Sequence, residues 1–130
     1  MPIEIQYLTG GGIVAKGIGI VTGRDIIDFN NELYATEDKI ANISYQLCDL
    51  TNIESYSVTT EEIRTIAEQD IRASILNRKM IIAVAGEKDV IYGLLRMWQS
   101  FSGSASIPIK VFRGVEDAKK WIEDQLHNRT

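Results

Sequence analysis

Apolar residues change their spacing several times along this chain, and each change marks an element. Ile3, Ile5 and Tyr7 alternate with polar residues, which predicts a half-exposed strand over residues 2–8. Thr9-Gly10-Gly11-Gly12 follows as a turn that tolerates positive φ. Residues 13–22 read as a second strand, close enough to the first to form a hairpin. Ile26, Phe29, Leu33 and Tyr34 then share one face of a helix over residues 23–35, with Asp25 and Asp28 near its start, where acids suit the helix dipole. Residues 36–43 are polar and fit either a helix or a loop. Tyr45, Leu47 and Asp49 alternate in a third strand over residues 44–50.

The clearest signal comes next. Thr59-Thr60-Glu61-Glu62 is a capping box, with Thr59 as N-cap and Glu62 three residues on. Ile63, Ala67, Ile71 and Ile75 recur every four residues, with Ile66 beside them. The continuous apolar run over residues 79–85 is the mark of a strand buried on both faces. After Gly86-Glu87-Lys88-Asp89, Ile91, Leu94, Leu95, Trp98 and Phe101 line a helix that ends near Ser102. A strand over residues 107–112 and a helix over residues 114–126, burying Val115, Ala118, Trp121 and Ile122, complete the pattern. The order β-β-α-β-α-β-α-β-α predicts a single α/β domain over residues 1–130. Its sheet is five-stranded, mixed and mostly parallel, packed by about four helices.

Composition narrows the functions available. The chain has 130 residues, with 14 Lys and Arg against 18 Asp and Glu and a net charge of −4. That balance offers no electrostatic reason to expect nucleic acid as a partner. The longest apolar run has the length of a strand, so no transmembrane segment is expected. One Cys and one His cannot supply a four-ligand zinc site. Cys48, alone within a strand, reads as a small hydrophobe. Met1-Pro2-Ile3-Glu4 has neither basic nor long apolar character, so no secretory signal is read and a cytoplasmic location is expected. The triplets at Asn42 and Asn128 then match the glycosylation pattern by chance.

Three stretches carry a resemblance: Asp49-Leu50-Thr51 with residues 53–63, residues 91–99, and residues 111–118 with Trp121-Ile122. With the strands around them, they make the chain resemble the small bacterial SpoIIAA-like domains, also described as STAS/SEC14-like, from Met1 to about Leu126. The resemblance implies a STAS-type fold and a regulatory module. STAS antagonists carry an Asp-Ser pair, usually followed by Ser and Gly, at the start of the helix after the third strand, and a partner kinase phosphorylates that serine. The comparable segment here is Tyr56-Ser57-Val58-Thr59-Thr60, without the Asp or the Gly. The phosphorylatable position falls near Val58, and Ser57 and Thr59 flank it. The SEC14-like half of the resemblance implies an apolar pocket for a lipid.

Catalytic chemistry finds little support. The only His, His127, falls in the expected C-terminal fray, away from any nucleophile. The acid pairs Glu61/Glu62 and Asp25/Asp28 read as helix-start residues. Gly17-Ile18-Gly19-Ile20-Val21-Thr22-Gly23 has the wrong spacing for a dinucleotide fingerprint and lies within a strand, where a bulge or close packing explains it. No cofactor is expected.

The carboxyl ends of the parallel strands are where open α/β sheets place ligands. Tyr56, Ser57, Thr59, Thr60, Gly86, Lys88 and Arg113 would gather there, with Glu54, Ser55 and Glu87. Two readings stand: the hydroxyls cap helices and turns, or the rim meets a ligand or partner. Tyr92, Arg96 and Gln99 should face away from the core side of their helix, as an interface strip of hot-spot residue types. The sequence therefore points to a non-enzymatic module that works by protein contact, with a partner or with itself as a homodimer. The alternative is a SEC14-like carrier or sensor of a lipid or anionic metabolite.

Overall fold

The computed structural model describes residues 2–128. Its main sheet has five strands: β1 (Ile3–Tyr7), β2 (Gly12–Gly17), β4 (Tyr45–Asp49), β6 (Ile81–Ala85) and β7 (Ile109–Phe112), side by side in that order. β1 pairs antiparallel with β2, and every other pair is parallel. A second, two-stranded sheet joins β3 (Gly19–Thr22) to β5 (Ile53–Ser57) in parallel. The helices are α1 (Gly23–Leu33), α2 (Glu37–Ala41), α3 (Thr60–Leu76), α4 (Asp89–Phe101) and α5 (Val115–His127).

Two apolar layers hold these elements. Ile26, Phe29 and Leu33 of α1, Ile63 and Ile66 of α3 and Ile91, Leu95 and Trp98 of α4 pack against Ile13, Ala15, Ile82 and Val84 of the sheet. On the other face, Ala118 and Ile122 of α5 cover Leu47, Ile81 and Ala83. Every residue of β6 is buried, as its unbroken apolar run requires when both faces are covered. The tilted pair Phe112 and Trp121, with ring centroids 5.6 Å apart, closes the α5 side, with Trp121 half-buried.

The structure revises the sequence reading in several places. The second strand is two: Gly19 adopts φ +67, the register shifts at Gly19/Ile20, and the chain leaves the main sheet there. The exit of the third strand is itself a strand, β5. Five helices stand where about four were expected, because residues 36–43 contain the short α2, capped by Thr36. The inner face of α3 runs through Ile63, Ile66, Ala67, Asp70, Ala73 and Ser74, and Ile75 is 57% exposed. A step of four residues overshoots the helical turn of 3.6, so a strict fourfold series drifts off the buried face. His127 lies within α5 rather than in a fray. Asn128 of the second triplet is described, and its other two positions lie outside the described residues.

Gly11 and Gly19 test how the hairpin and the kink are held. Both have positive φ. A Cβ on Gly19 would meet only the Glu54 carboxylate, at 3.6 Å, whereas one on Gly11 would collide with the Asn42 carbonyl oxygen. Gly19→Ala should therefore lower stability by about 1–2 kcal/mol, the cost of a left-handed residue. Gly11→Ala should lose about 3 kcal/mol or more, since backbone must move as well. Urea unfolding of both variants checks the order, and equal losses would refute the crowding at Gly11.

Candidate functional site

Gly86, Lys88 and Arg113 lie at the carboxyl ends of β6 and β7, and each is engaged internally. Gly86 N–H donates to the Phe112 carbonyl at 2.8 Å, and a Cβ there would press Ile91 and Leu95 at 2.8 Å. Lys88 Nζ donates to the carbonyls of Ile53 (3.2 Å) and Glu54 (3.1 Å), tying α4 to β5. Arg113 Nη1 donates to the Glu87 carbonyl at 3.2 Å and pairs with Asp89 Oδ1 at 2.6 Å. Its guanidinium also lies 4.3 Å from the centre of the Tyr92 ring, and that of Arg96 lies 5.9 Å from it. Rim and strip are thus one surface around Tyr92. Separately, Arg64 of α3 lies 4.3 Å from the centre of the Phe101 ring near the end of α4.

The remaining predicted residues sit elsewhere. Tyr92 is half-buried against the core, and Gln99 Nε2 donates to the Ile109 carbonyl at 3.3 Å, so Arg96 is the one exposed residue of the three in the strip. Tyr56 packs against the core, because the register shift opposite Gly19/Ile20 makes Glu54 an extra residue and turns Tyr56 to the same side as buried Ile53. Ser57 is exposed on β5, in register with Thr22 of β3. Thr59 is the N-cap of α3: Glu62 N–H donates to its Oγ1 at 3.1 Å, while its own N–H donates to Glu62 Oε1 at 2.9 Å. Thr60 is the exposed first residue of that helix. α1 starts beside it with a matching box, Thr22 and Asp25. The last turn of α5 shares a cleft with Arg78, Lys79 and Pro108 at the amino ends of β6 and β7, which puts His127 at the opposite end of the sheet from the rim. Among the described residues no cluster of three or more His, Cys, Asp or Glu could hold a metal ion, and no helix is long and apolar enough to cross a membrane.

The most unusual chemistry lies in the core. Asp70 of α3 is 3% exposed. Tyr34 O–H donates to its Oδ1 at 2.8 Å, Asn30 Nδ2 to the same oxygen at 3.4 Å, and Trp98 Nε1 to its Oδ2 at 2.9 Å. Gln46 of β4 donates to the Tyr34 oxygen at 2.6 Å. No cation reaches the group, so burial pushes the Asp70 carboxyl up to about 7, against the pull of the Tyr34 and Trp98 hydrogen bonds. Beside it lies a cavity of about 50 Å³, lined among others by Cys48, Tyr56, Asp70 and Trp98. Burial, ahead of neighbouring charge, raises the Cys48 thiol to about 12, as suits a structural cysteine, and raises the Tyr56 hydroxyl too. The sequence reading missed Asp70. Its signal was a carboxylate in phase with Ile63, Ile66 and Ala67, where a helix-periodic pattern demands an apolar residue.

Asp70 sets a pH dependence. Between about pH 4 and about pH 7 the folded chain holds a proton that the unfolded chain has released, so stability falls as pH rises through that window. Asp70→Asn should remove this slope, beside a pH-independent loss from setting an amide NH2 against one of the donors that the carboxylate now accepts from. Urea unfolding across that range checks it, and parallel pH curves for the two chains would sink it.

No family model matches the chain, and no curated protein matches it. Among solved structures, the Bacillus cell fate determinant SpoIIAA in the phosphorylated form is similar, with a TM-score of 0.59. The match covers 92% of this chain and 98% of that one, at 8% sequence identity. Identity that low carries the fold and nothing finer. The mixed sheet, its helices and this match agree on one assignment: the chain has a SpoIIAA-like STAS fold.

Proposed function

We propose that this chain is a non-enzymatic regulatory or binding module that acts through protein contact. The observation that carries this reading is the Tyr92 surface. On α4, the Tyr92 ring has two guanidinium groups against it, those of Arg113 and Arg96, at 4.3 and 5.9 Å from its centre. Tyr and Arg are the residue types that dominate interface energetics. Each cation–π contact contributes only about 0.5–1 kcal/mol where water reaches it. A partner that covers the surface would strengthen both contacts by removing that water.

SpoIIAA, by the name of its solved structure, is a cell fate determinant that takes a phosphorylated form. The regulatory half of that likeness fits this chain better than the phosphate does. The Thr59 oxygen is occupied in the capping box, with the Glu62 carboxylate against its N–H. A phosphate there would break the cap and meet Glu61 and Glu62. Ser57 is accessible, but it sits on a strand rather than at a helix start. Contact is therefore the working mode here, with a separate protein or a second copy, in the cytoplasm. The carrier alternative has less support. A cavity of about 50 Å³ is far below the roughly 300–1,000 Å³ of small-molecule pockets, so an acyl chain would need the helix layer to lift from the sheet.

Tyr92→Ala combined with Arg96→Ala should weaken assembly at least tenfold while leaving a cooperatively folded chain. Sedimentation velocity on the parent and the variant, with far-UV circular dichroism to check folding, tests this. Association that survives both substitutions would rule out this surface.

A further inference from the structure

The two edges of the main sheet are finished differently. At β7 the edge is four residues long, carries Lys110, and has the Ile109 carbonyl covered by Gln99. Lysines, short length and side-chain cover are standard ways to blunt an edge. At β1 none of these is present. The strand runs five residues in unbroken register with β2, has no Lys, and has no further strand on its outer side among the described residues.

The direction of its free groups follows from the ladder. Leu8 N–H donates to the Gly12 carbonyl, and Ile18 N–H to the Pro2 carbonyl, both at 2.8 Å. Even-numbered residues of β1 therefore bond to β2, and Ile3, Ile5 and Tyr7 turn their N–H and C=O groups outward. The side chains of these residues share a face with α1. Between strand and helix runs an open groove of about 260 Å³, with a floor of Ile3, Ile5 and Phe29 and a wall of Asp25, Asp28 and Glu32. The wall residues lie at intervals of three and four, on one stripe of α1. Glu32 reaches the far end, where its charge, after burial, helps raise the Tyr7 hydroxyl. Arg24 pairs with Asp28 at 3.0 Å on the exposed surface, and Lys39 Nζ is bound to the Glu32 carbonyl rather than to its carboxylate.

We propose that β1 and the acidic stripe of α1 form a docking groove for an extended basic segment of a partner protein. The segment would add as a strand to the β1 edge and turn Lys or Arg side chains into the groove at alternate positions. Main-chain bonds to Ile3, Ile5 and Tyr7 supply affinity, and alternate side chains supply selectivity. Alternate strand residues advance by about 6.6 Å, and one turn of helix by about 5.4 Å, so successive cations meet successive acids. Their aliphatic stems lie on the Ile and Phe floor while the charged ends reach the wall. A second copy of this chain fits worse: it carries net charge −4, and pairing β1 with itself would bring two acidic walls together. This surface is at the other edge of the sheet from Tyr92, and stands or falls independently of it.

The probe is a capped hexapeptide of alternating lysine and threonine, titrated into the full chain by calorimetry, with a glutamate–threonine peptide as control. Amide exchange read by NMR locates the site. The lysine peptide should bind and slow exchange at Ile3, Ile5 and Tyr7, and the glutamate peptide should not. Asp28→Asn with Glu32→Gln, both surface changes, should weaken binding at least tenfold and flatten its salt dependence. Ile5→Pro should abolish binding by removing an outward donor that the β1–β2 ladder does not use. The proposal is overturned by no binding of the lysine peptide at millimolar concentration, by equal binding of the two peptides, or by protection confined to other strands. It is also overturned if sedimentation shows the peptide-free chain already paired through β1.

Discussion

Asp70 is a buried carboxylate without a cation, and the position of the helical layer depends on it. Its donors come from two other helices: Asn30 and the capping Tyr34 of α1, and Trp98 of α4. Gln46 links the same cluster to the sheet through Tyr34. Apolar packing alone is tolerant of small rotations, because one Ile contact resembles another. Directional bonds to one carboxylate are not. They fix which face of α3 looks inward and how far α1 and α4 lie from it. Every buried polar side-chain atom described has a partner, so the cluster specifies an arrangement without leaving an unmet group.

The kink at Gly19 sets the rest of the layout. By leaving the main sheet, β3 pairs with β5 and delivers α1 and α3 side by side, each opened by a reciprocal capping box. The two starts pack so closely that a Cβ on Gly23 would meet the Glu62 carboxylate at 2.6 Å. That end of the rim is closed by its own caps. α4 and α5 begin without side-chain caps, from Lys88 and Gly114.

Much of this was legible in the chain. The unbroken run of β6, the box at Thr59 and the apolar stripe of α4 each depend on local spacing, and each lies where the spacing puts it. What escaped depends on partners distant in sequence. β5 reads as a polar exit because Ser55 and Ser57 face water, and only its pairing with β3 makes it a strand. One uninterrupted pattern over residues 13–22 hides a change of sheet, since alternation does not record which neighbour a strand has. Asp70 went unread because its donors, on α1 and α4, lie roughly 30 to 40 residues away and only the fold brings them to it.

The unequal edges follow from the same chain path. α4 crosses beside β7 and lends it Gln99, so that edge is consumed by the fold itself. α1 packs on the face of the sheet beside β1 and leaves an open groove along that strand, with no further strand on its outer side among the described residues. A free edge invites indiscriminate pairing unless something selects the incoming strand. The acidic stripe supplies that selection: it repels acidic strands, including a copy of this chain, and leaves the edge open to a basic one. An edge guarded by charge rather than by Lys or a bulge is closed to like-charged strands and remains competent to bind the opposite kind.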